Sequence, residues 1–398
     1  MTKSIKIKNS SNLNMDFQEF PDIETCKSIY LHKDISPADR LPLMLYCKQA
    51  IDNGKVFVSY KKKKYGRYYS DSYSCSVMNS KIRATLFNKS EHDIDIKNCH
   101  FEILKQMCID NGFKCKLIKN YCENRKQIIE DSSVDLLHLN WYNKQYNKSC
   151  SKRDVIKHLF TILLFGGSIT TFQKKYKLTT EQYSIGFDVD ALQKEIKKIT
   201  KKILELNDNK KIITWLISDK RKQAETTYAD KFDEVKFKVK NSKKLSYILQ
   251  EKETEIVLNA IDLFKKCGVK VSSYIYDGFQ IIKSSVSEYE LKEYLIVVNS
   301  KYPSIEFIKK DFKDGLDMEK IKTDEFDREI FNDLAKCDSR YKSEVYGAQK
   351  IYFEQWCFKV LHPLKFVSIV RDETIYYSTL NFKALCSHLN TLTFNETI

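Results

Sequence analysis

Two apolar runs, Val269–Ile275 and Phe279–Ile282, meet at Asp277-Gly278, and they constrain the fold more than any other stretch. They read as the two arms of a β-hairpin around a favoured tight-turn pair. Apolar arms of this kind must be buried against a sheet, which leaves Asp277 projecting from its end. Upstream, Asp93-Ile94-Asp95-Ile96 alternates, so an extended strand puts both carboxylates on one face and both isoleucines in a core. Singly, each stretch has a plainer meaning. Asp277-Gly278 can serve backbone geometry alone, and Asp93 with Asp95 can belong to a surface-facing acidic strand.

A third stretch lies between them. Ser151 is an N-cap residue type, and the spacing after it predicts a helix to about Leu164. Arg153 and Lys157 lie on one face of that helix, with Ile156, Leu159, Leu163 and Leu164 at the other positions. Two stacked cations can hold the β- and γ-phosphates of a triphosphate, and Phe165 can pack on base or sugar. An amphipathic helix with a solvated basic stripe is the commoner meaning of the pattern. Gly166-Gly167 ends the helix and permits close approach of a ligand, or is a plain C-cap.

The formal net charge of +15 calls for a polyanionic partner. No apolar run approaches the roughly 18 residues that would span a bilayer, and Met1–Ser11 lacks the apolar core of a secretory signal. A cytoplasmic or nuclear protein is expected, at a viral replication site if the source is viral, and not a secreted or membrane protein. The 12 cysteines are scattered without a CxxC pair. Cys108, Cys115 and Cys122 have no nearby histidine to complete a zinc site, so reduced thiols are expected. The 24 tyrosines and 23 phenylalanines supply rings for stacking on bases as well as for the core.

With only 10 glycines and 5 prolines, long flexible linkers are not expected. Helices are predicted over Ala38–Ile51, from Phe101 to Asn111 and over Leu245–Lys266, with a helix-rich basic segment from Leu178 to Gln250. Strands are predicted from Val56 to Ile96 around the basic loop Lys61–Arg67. That loop is threaded by Tyr60, Tyr65, Tyr68 and Tyr69, which suits a primer–template contact or a solvated charge run. Lys81 and Arg83 are similar candidates. Tyr346–Leu392 reads as a small separate α+β piece.

Taken in order, the three stretches resemble motifs A, B and C of superfamily A DNA polymerases and phage-type single-subunit RNA polymerases. The likeness is to the transposon and virus branch, often joined to a superfamily 3 helicase. In that branch motif A is similar to D-x-x-N-x-H followed by an apolar pair, matched by Asp95, Asn98, His100 and Ile103-Leu104. This register favours Asp95 over Asp93 as the metal ligand. Motif B, R-x3-K-x7-[YF]-G, is matched by Arg153, Lys157, Phe165 and Gly166, and motif C by Asp277. Gly66-Arg67-Tyr68 and Lys81-Ile82-Arg83 resemble the approach to motif A, where basic residues touch primer and template. Gln250 falls where the family places a polar minor-groove reader. The family's motif C histidine is Tyr276 here, its following acidic residue is Gly278, and the proline after the motif A histidine is Phe101. No GxxxxGK[ST] occurs, so a helicase motor is missing from the chain.

The resemblance, over roughly residues 55–320, implies an α+β right-hand polymerase with an antiparallel palm sheet and helical fingers at about 150–255. Residues 1–55 would form an N-terminal region serving as a reduced thumb, 56–325 the palm and fingers, and 326–398 a connector-like α+β domain. It implies a template-directed DNA polymerase working on primed DNA and dNTPs with two Mg²⁺ ions, or Mn²⁺ in their place, about 3.5–4 Å apart. Asp95 and Asp277 would hold the ions and Lys157 would neutralise charge on the triphosphate. Arg153 would hold the γ-phosphate, Phe165 and Gly166 would meet the nucleotide, and His100 would crowd a ribose 2′-hydroxyl. A helicase partner is expected, and oligomeric state is not legible. A primase or RNA polymerase on the same fold, and a catalytically inactive nucleic-acid-binding remnant, are the alternatives.

Overall fold

The computed structural model describes residues 15–320, apart from residues 33, 36, 147–149 and 228–236, together with two short strands at 369–371 and 374–376. Alternation in Glu91–Ile96 and in the two arms of the hairpin produces a four-stranded antiparallel sheet. Its order is Val271–Ile275, Gly278–Ile282, Glu91–Ile96, Phe307–Lys310. Ile94 pairs with Phe279, so their side chains share a face. That face is covered by the helix Asn241–Lys266, whose Phe264 ring lies 5.2 Å from Phe279. The fold is thus mixed helix and antiparallel sheet, as expected.

The opposite face carries Glu91, Asp93 and Gln280, and a second sheet closes over it. Met15–Glu19, Val56–Lys62 and Tyr68–Ser70 form three antiparallel strands in that order. The first two pair across the expected boundary at residue 55, and Met15–Glu19 abuts Val271–Ile275. The prediction of strands from Val56 to Ile96 needs a correction, because the helix Ser80–Phe87 intervenes. Asn79 caps it through a hydrogen bond from the Lys81 N–H at 2.9 Å. Ile82 and Leu86, one helical turn apart, are both buried. The helix Pro37–Asn53 packs beside this sheet.

Beyond Cys99–Asp110 the chain is mostly helical, with Lys116–Asp131, Leu136–Gln145, Lys152–Leu164, Ile169–Tyr176, Val189–Glu205 and Asn207–Thr227. An aromatic column joins this helical part to the sheet. Tyr121 stacks on Phe160 at 4.2 Å and meets Phe101 at 4.4 Å. No helix among the described residues is long and apolar enough to cross a membrane. The expected piece over Tyr346–Leu392 lies outside the described residues, save the strand pair Ile369–Arg371 and Thr374–Tyr376.

The polar face is unusual for a sheet interior, because two of its carboxyls have no exposure to speak of. Glu19 accepts from the Tyr46 hydroxyl at 2.7 Å and the Cys75 N–H at 3.0 Å. Glu91 accepts from Ser272 Oγ at 2.8 Å. Burial pushes Glu19 up to about 7 and Glu91 up to about 8. Both folded values lie above the ordinary 4.5, so between those limits the native state binds more protons than the unfolded chain. Their stability contribution is full below about pH 4.5 and is lost as pH rises towards 8. Glu91→Gln should therefore flatten the fall in melting temperature between about pH 5 and 8. At the upper end it should be more stable than wild type by on the order of 2 kcal/mol. Calorimetry at both pH values checks this.

Candidate active site

Backbone pairing brings Asp95 and Asp277 to the same end of the central sheet. Asp95 lies opposite Gly278, and the Ile96 N–H donates to the Asp277 carbonyl at 2.9 Å. Ile275 pairs directly with Gly278, so the turn residues are Tyr276 and Asp277 rather than Asp277-Gly278. Tyr276 carries the left-handed φ, at 42°, an outlier for a bulky side chain and of a kind that clusters at functional sites. Gly278 serves a different need. A Cβ there would stand 2.1 Å from the Ile94 carbonyl oxygen, so glycine is what lets the hairpin lie against the carboxylate strand.

Burial pushes the Asp277 carboxyl up to about 7, and the Asp95 and Glu253 carboxylates act in the same direction. Asp95 accepts from Lys310 Nζ at 2.5 Å. Asp93, one pleat back from the sheet end, is buried, and burial raises its carboxyl against the pull of Arg83. The surface-facing reading of this strand therefore fails.

The helix Lys152–Leu164 begins at Ser151 with a capping box to Asp154, where the sequence placed it. Arg153 is exposed and Lys157 half-buried. Burial lowers the Lys157 pKa, and the charges of Arg153 and Arg125 lower it further. Lys310, seated on Asp95, also lowers the Lys157 pKa by its charge. Phe165 lies edge-on to His100 with ring centroids 5.5 Å apart. Gly166 has a φ of 79° and sits against Ser242, whose Cβ would be 2.9 Å from an added Cβ.

The basic loop is exposed at Lys61, Lys63 and Lys64, and three of its lysines are ion-paired. Lys62 pairs with Glu251 at 2.9 Å, Lys63 with Asp219 at 3.6 Å and Lys61 with Asp71 at 3.0 Å. Arg67 makes a two-pronged pair with Glu253 at 2.6 and 2.7 Å, and its guanidinium lies 4.9 Å from the Tyr276 ring centre. Gln250 comes to Gly66 on the same helix, its Oε1 being 3.6 Å from where a Gly66 Cβ would stand. Arg83 donates to the Cys75 carbonyl at 3.3 Å, behind the site. Lys81 stands exposed at the start of the intervening helix.

No family model matches the chain. It is 26% identical over 237 residues to a Sputnik virophage protein named as helicase V13, a match covering 59% of this chain and 26% of that relative. The chain thus matches about a quarter of the relative's length. Among solved structures it is similar to the POL domain of Pol1 from M. smegmatis in complex with DNA primer-template and dNTP. The TM-score is 0.40 and the identity 11%, over 68% of this chain and 50% of that one.

Two residues of the site went unnoticed in the sequence. Glu253 is fully buried and touches Arg67, His100 and Cys99. Its signal was there: a carboxylate inside the apolar stripe Leu249, Ile256, Ala260 and Phe264 must have a partner. Lys310 lies in Phe307-Ile308-Lys309-Lys310, where nothing separates it from a surface lysine. Cys99, His100 and Glu253 have ligand atoms within 4.8 Å of one another. Arg67 already engages both Glu253 oxygens, so this group is an ion-pair network. Asp95 and Asp277 are the better fit for a hard divalent cation, because the half-buried carboxyls act on each other as like charges and, among the described residues, only Asp95 has a cation, Lys310, seated on it. Beside Phe165 a cavity of about 500 Å³ is lined by Lys220, Lys240, Ser242, Lys243 and Ser246, a basic wall suited to phosphates.

Proposed function

We propose that this chain is a template-directed DNA polymerase that extends a primer by nucleotidyl transfer in the replication of a viral or mobile element. The observation that carries the reading is the meeting of Asp95 and Asp277 at one sheet end, and the order of the three sequence stretches adds the Arg153–Lys157 helix to it. In this reading the sheet is a palm and the helices from Lys152 to Thr227 are fingers. The helicase name of the virophage relative supports a replication setting and a helicase partner.

Asp95 and Asp277 would hold Mg²⁺, which when bound supplies charge neutralisation for the attacking and leaving oxygens. The primer 3′-hydroxyl gives up its proton to water as it attacks the α-phosphorus, a P–O bond forms to the primer, and the bond to pyrophosphate breaks. Lys157 meets the charge that builds on the departing oxygens. Its lowered pKa makes it the readier proton donor to them. Arg153, on the same helix face and exposed, binds the γ-phosphate. Phe165 packs on the incoming nucleotide, with His100 set edge-on against it as a wall on the sugar side. Arg67 and Gln250, side by side at Gly66, face the primer terminus, and the lysines around the cavity take template phosphates.

The test is extension with dNTPs or rNTPs on primed and unprimed templates. Primed extension with dNTPs supports the reading. Synthesis from rNTPs without a primer would move it to a primase or RNA polymerase. Lys157→Ala is expected to lower the single-turnover rate by about 10²-fold with DNA affinity nearly unchanged.

A further inference from the structure

Glu253 is the one fully buried carboxylate at the site, and it sits where three functional side chains converge. Arg67 Nε and Nη2 donate to its two oxygens at 2.6 and 2.7 Å. His100 Nε2 stands 3.5 Å from the same carboxylate, and 3.5 Å from Arg67 Nη2. On its far side the His100 ring is stopped by Phe165, edge to face at 5.5 Å and 87°. On its own far side Arg67 is stacked on Tyr276, whose ring meets Tyr69 at 6.0 Å. An unbroken chain of contacts therefore runs from the hairpin tip bearing Asp277 to the end of the cationic helix, and Glu253 is its middle member.

We infer that Glu253 is a positioning residue that clamps the His100 imidazole and thereby sets the choice between deoxy- and ribonucleotides. The inference rests on the polymerase reading above. Both Glu253 and Arg67 Nη2 lie 3.5 Å from His100 Nε2; with Arg67 Nη2 engaged by Glu253 at 2.7 Å, the carboxylate has the stronger claim, and an Nε2–H that donates to it leaves Nδ1 as an acceptor. Held between Glu253 and Phe165, the ring cannot swing away to admit a 2′-hydroxyl. Glu253 also compensates Arg67. Without it a half-buried guanidinium would face His100 unpaired, and repulsion would turn the ring. Hydrogen bonds from His100 and Arg67 keep the Glu253 pKa below the usual carboxylate range although burial opposes this, so the clamp stays charged at neutral pH.

The test has two readouts. Nitrogen-15 shifts of histidine-labelled full-length protein, with His100→Gln to assign the signal, report the tautomer without any catalysis. Wild type should show the Nε2–H form and Glu253→Gln a loss of it. In primer extension, Glu253→Gln should lower the ratio of dNTP to rNTP incorporation by roughly tenfold. Glu253→Asp, which keeps the charge and suits a fold that will not accept glutamine, should fall between. Equal loss on both sugars with the ratio unchanged would overturn the inference and leave Glu253 a structural residue. An unchanged tautomer would overturn it whatever the activity. A changed tautomer in a wild-type protein that cannot extend primers would instead place the failure in the polymerase reading, and the sugar role would fall with it.

Discussion

Asp277→Asn is expected to reduce nucleotide incorporation by about 10⁴-fold, roughly 5 kcal/mol of transition-state stabilisation, while the folded protein becomes more stable. The two effects have one cause. Asp277 sits where burial and the Asp95 and Glu253 carboxylates push its pKa up to about 7. The native state therefore binds more protons than the unfolded chain above the ordinary 3.8, and stability falls as pH rises through 7. Asparagine keeps the shape and removes the charge, so the melting temperature at about pH 8 should rise. It also removes an anionic oxygen ligand. Single-turnover incorporation measured beside thermal melting checks the pair. An inactive variant that is also destabilised would point to misfolding, not to a lost ligand.

Gly278→Ala is expected to be the most damaging single methyl in the described chain. The added Cβ would lie 2.1 Å from the Ile94 carbonyl oxygen and 3.1 Å from the Asp95 Cα. Those are backbone atoms of the adjoining strand, which cannot rotate out of the way. The strands must separate, and the cost should be on the order of 4 kcal/mol, or a fall of about 10 °C in melting temperature. Incorporation should fail as well, since Asp95 and Asp277 are held in place by that pairing. Gly112→Ala is the control. A Cβ at Gly112 meets nothing within 4 Å, and only its φ of 65° opposes a side chain, so about 1 kcal/mol is expected. Denaturant titration of the two variants separates close approach from backbone freedom.

Much of the sheet was legible because its strands obey a two-residue period with an obvious sign. Ile94 and Ile96 had to go inwards, the hairpin arms carry Val271, Tyr274, Ile275, Phe279, Ile281 and Ile282, and Ser151 announced the start of its helix. Local chemistry misled in one place. Asp277-Gly278 looks like a turn pair, yet the turn falls one residue earlier, because strand approach claims Gly278 and leaves the positive φ to Tyr276. The helix Ser80–Phe87 imitates a strand because Ile82, Ala84 and Leu86 alternate with Arg83 and Thr85 over a segment of only eight residues. The ion pairs of the basic loop are not legible, because the partners Asp71, Asp219, Glu251 and Glu253 lie at sequence distances that no local pattern links. Glu253 announces only that it needs a partner, by lying in the apolar stripe of its helix, and Lys310 announces nothing. Each acquires its role from a tertiary neighbour, Arg67 and Asp95.

The most direct measurement is single-nucleotide extension of a primed DNA by the wild-type chain with Mg²⁺, repeated on four templates that differ only in the templating base. The expected result is incorporation of the complementary dNMP in each case, with none by Asp277→Asn. Tight binding of the primed DNA without incorporation on any template, in Mg²⁺ or Mn²⁺, would contradict it and leave a nucleic-acid-binding protein that performs no transfer.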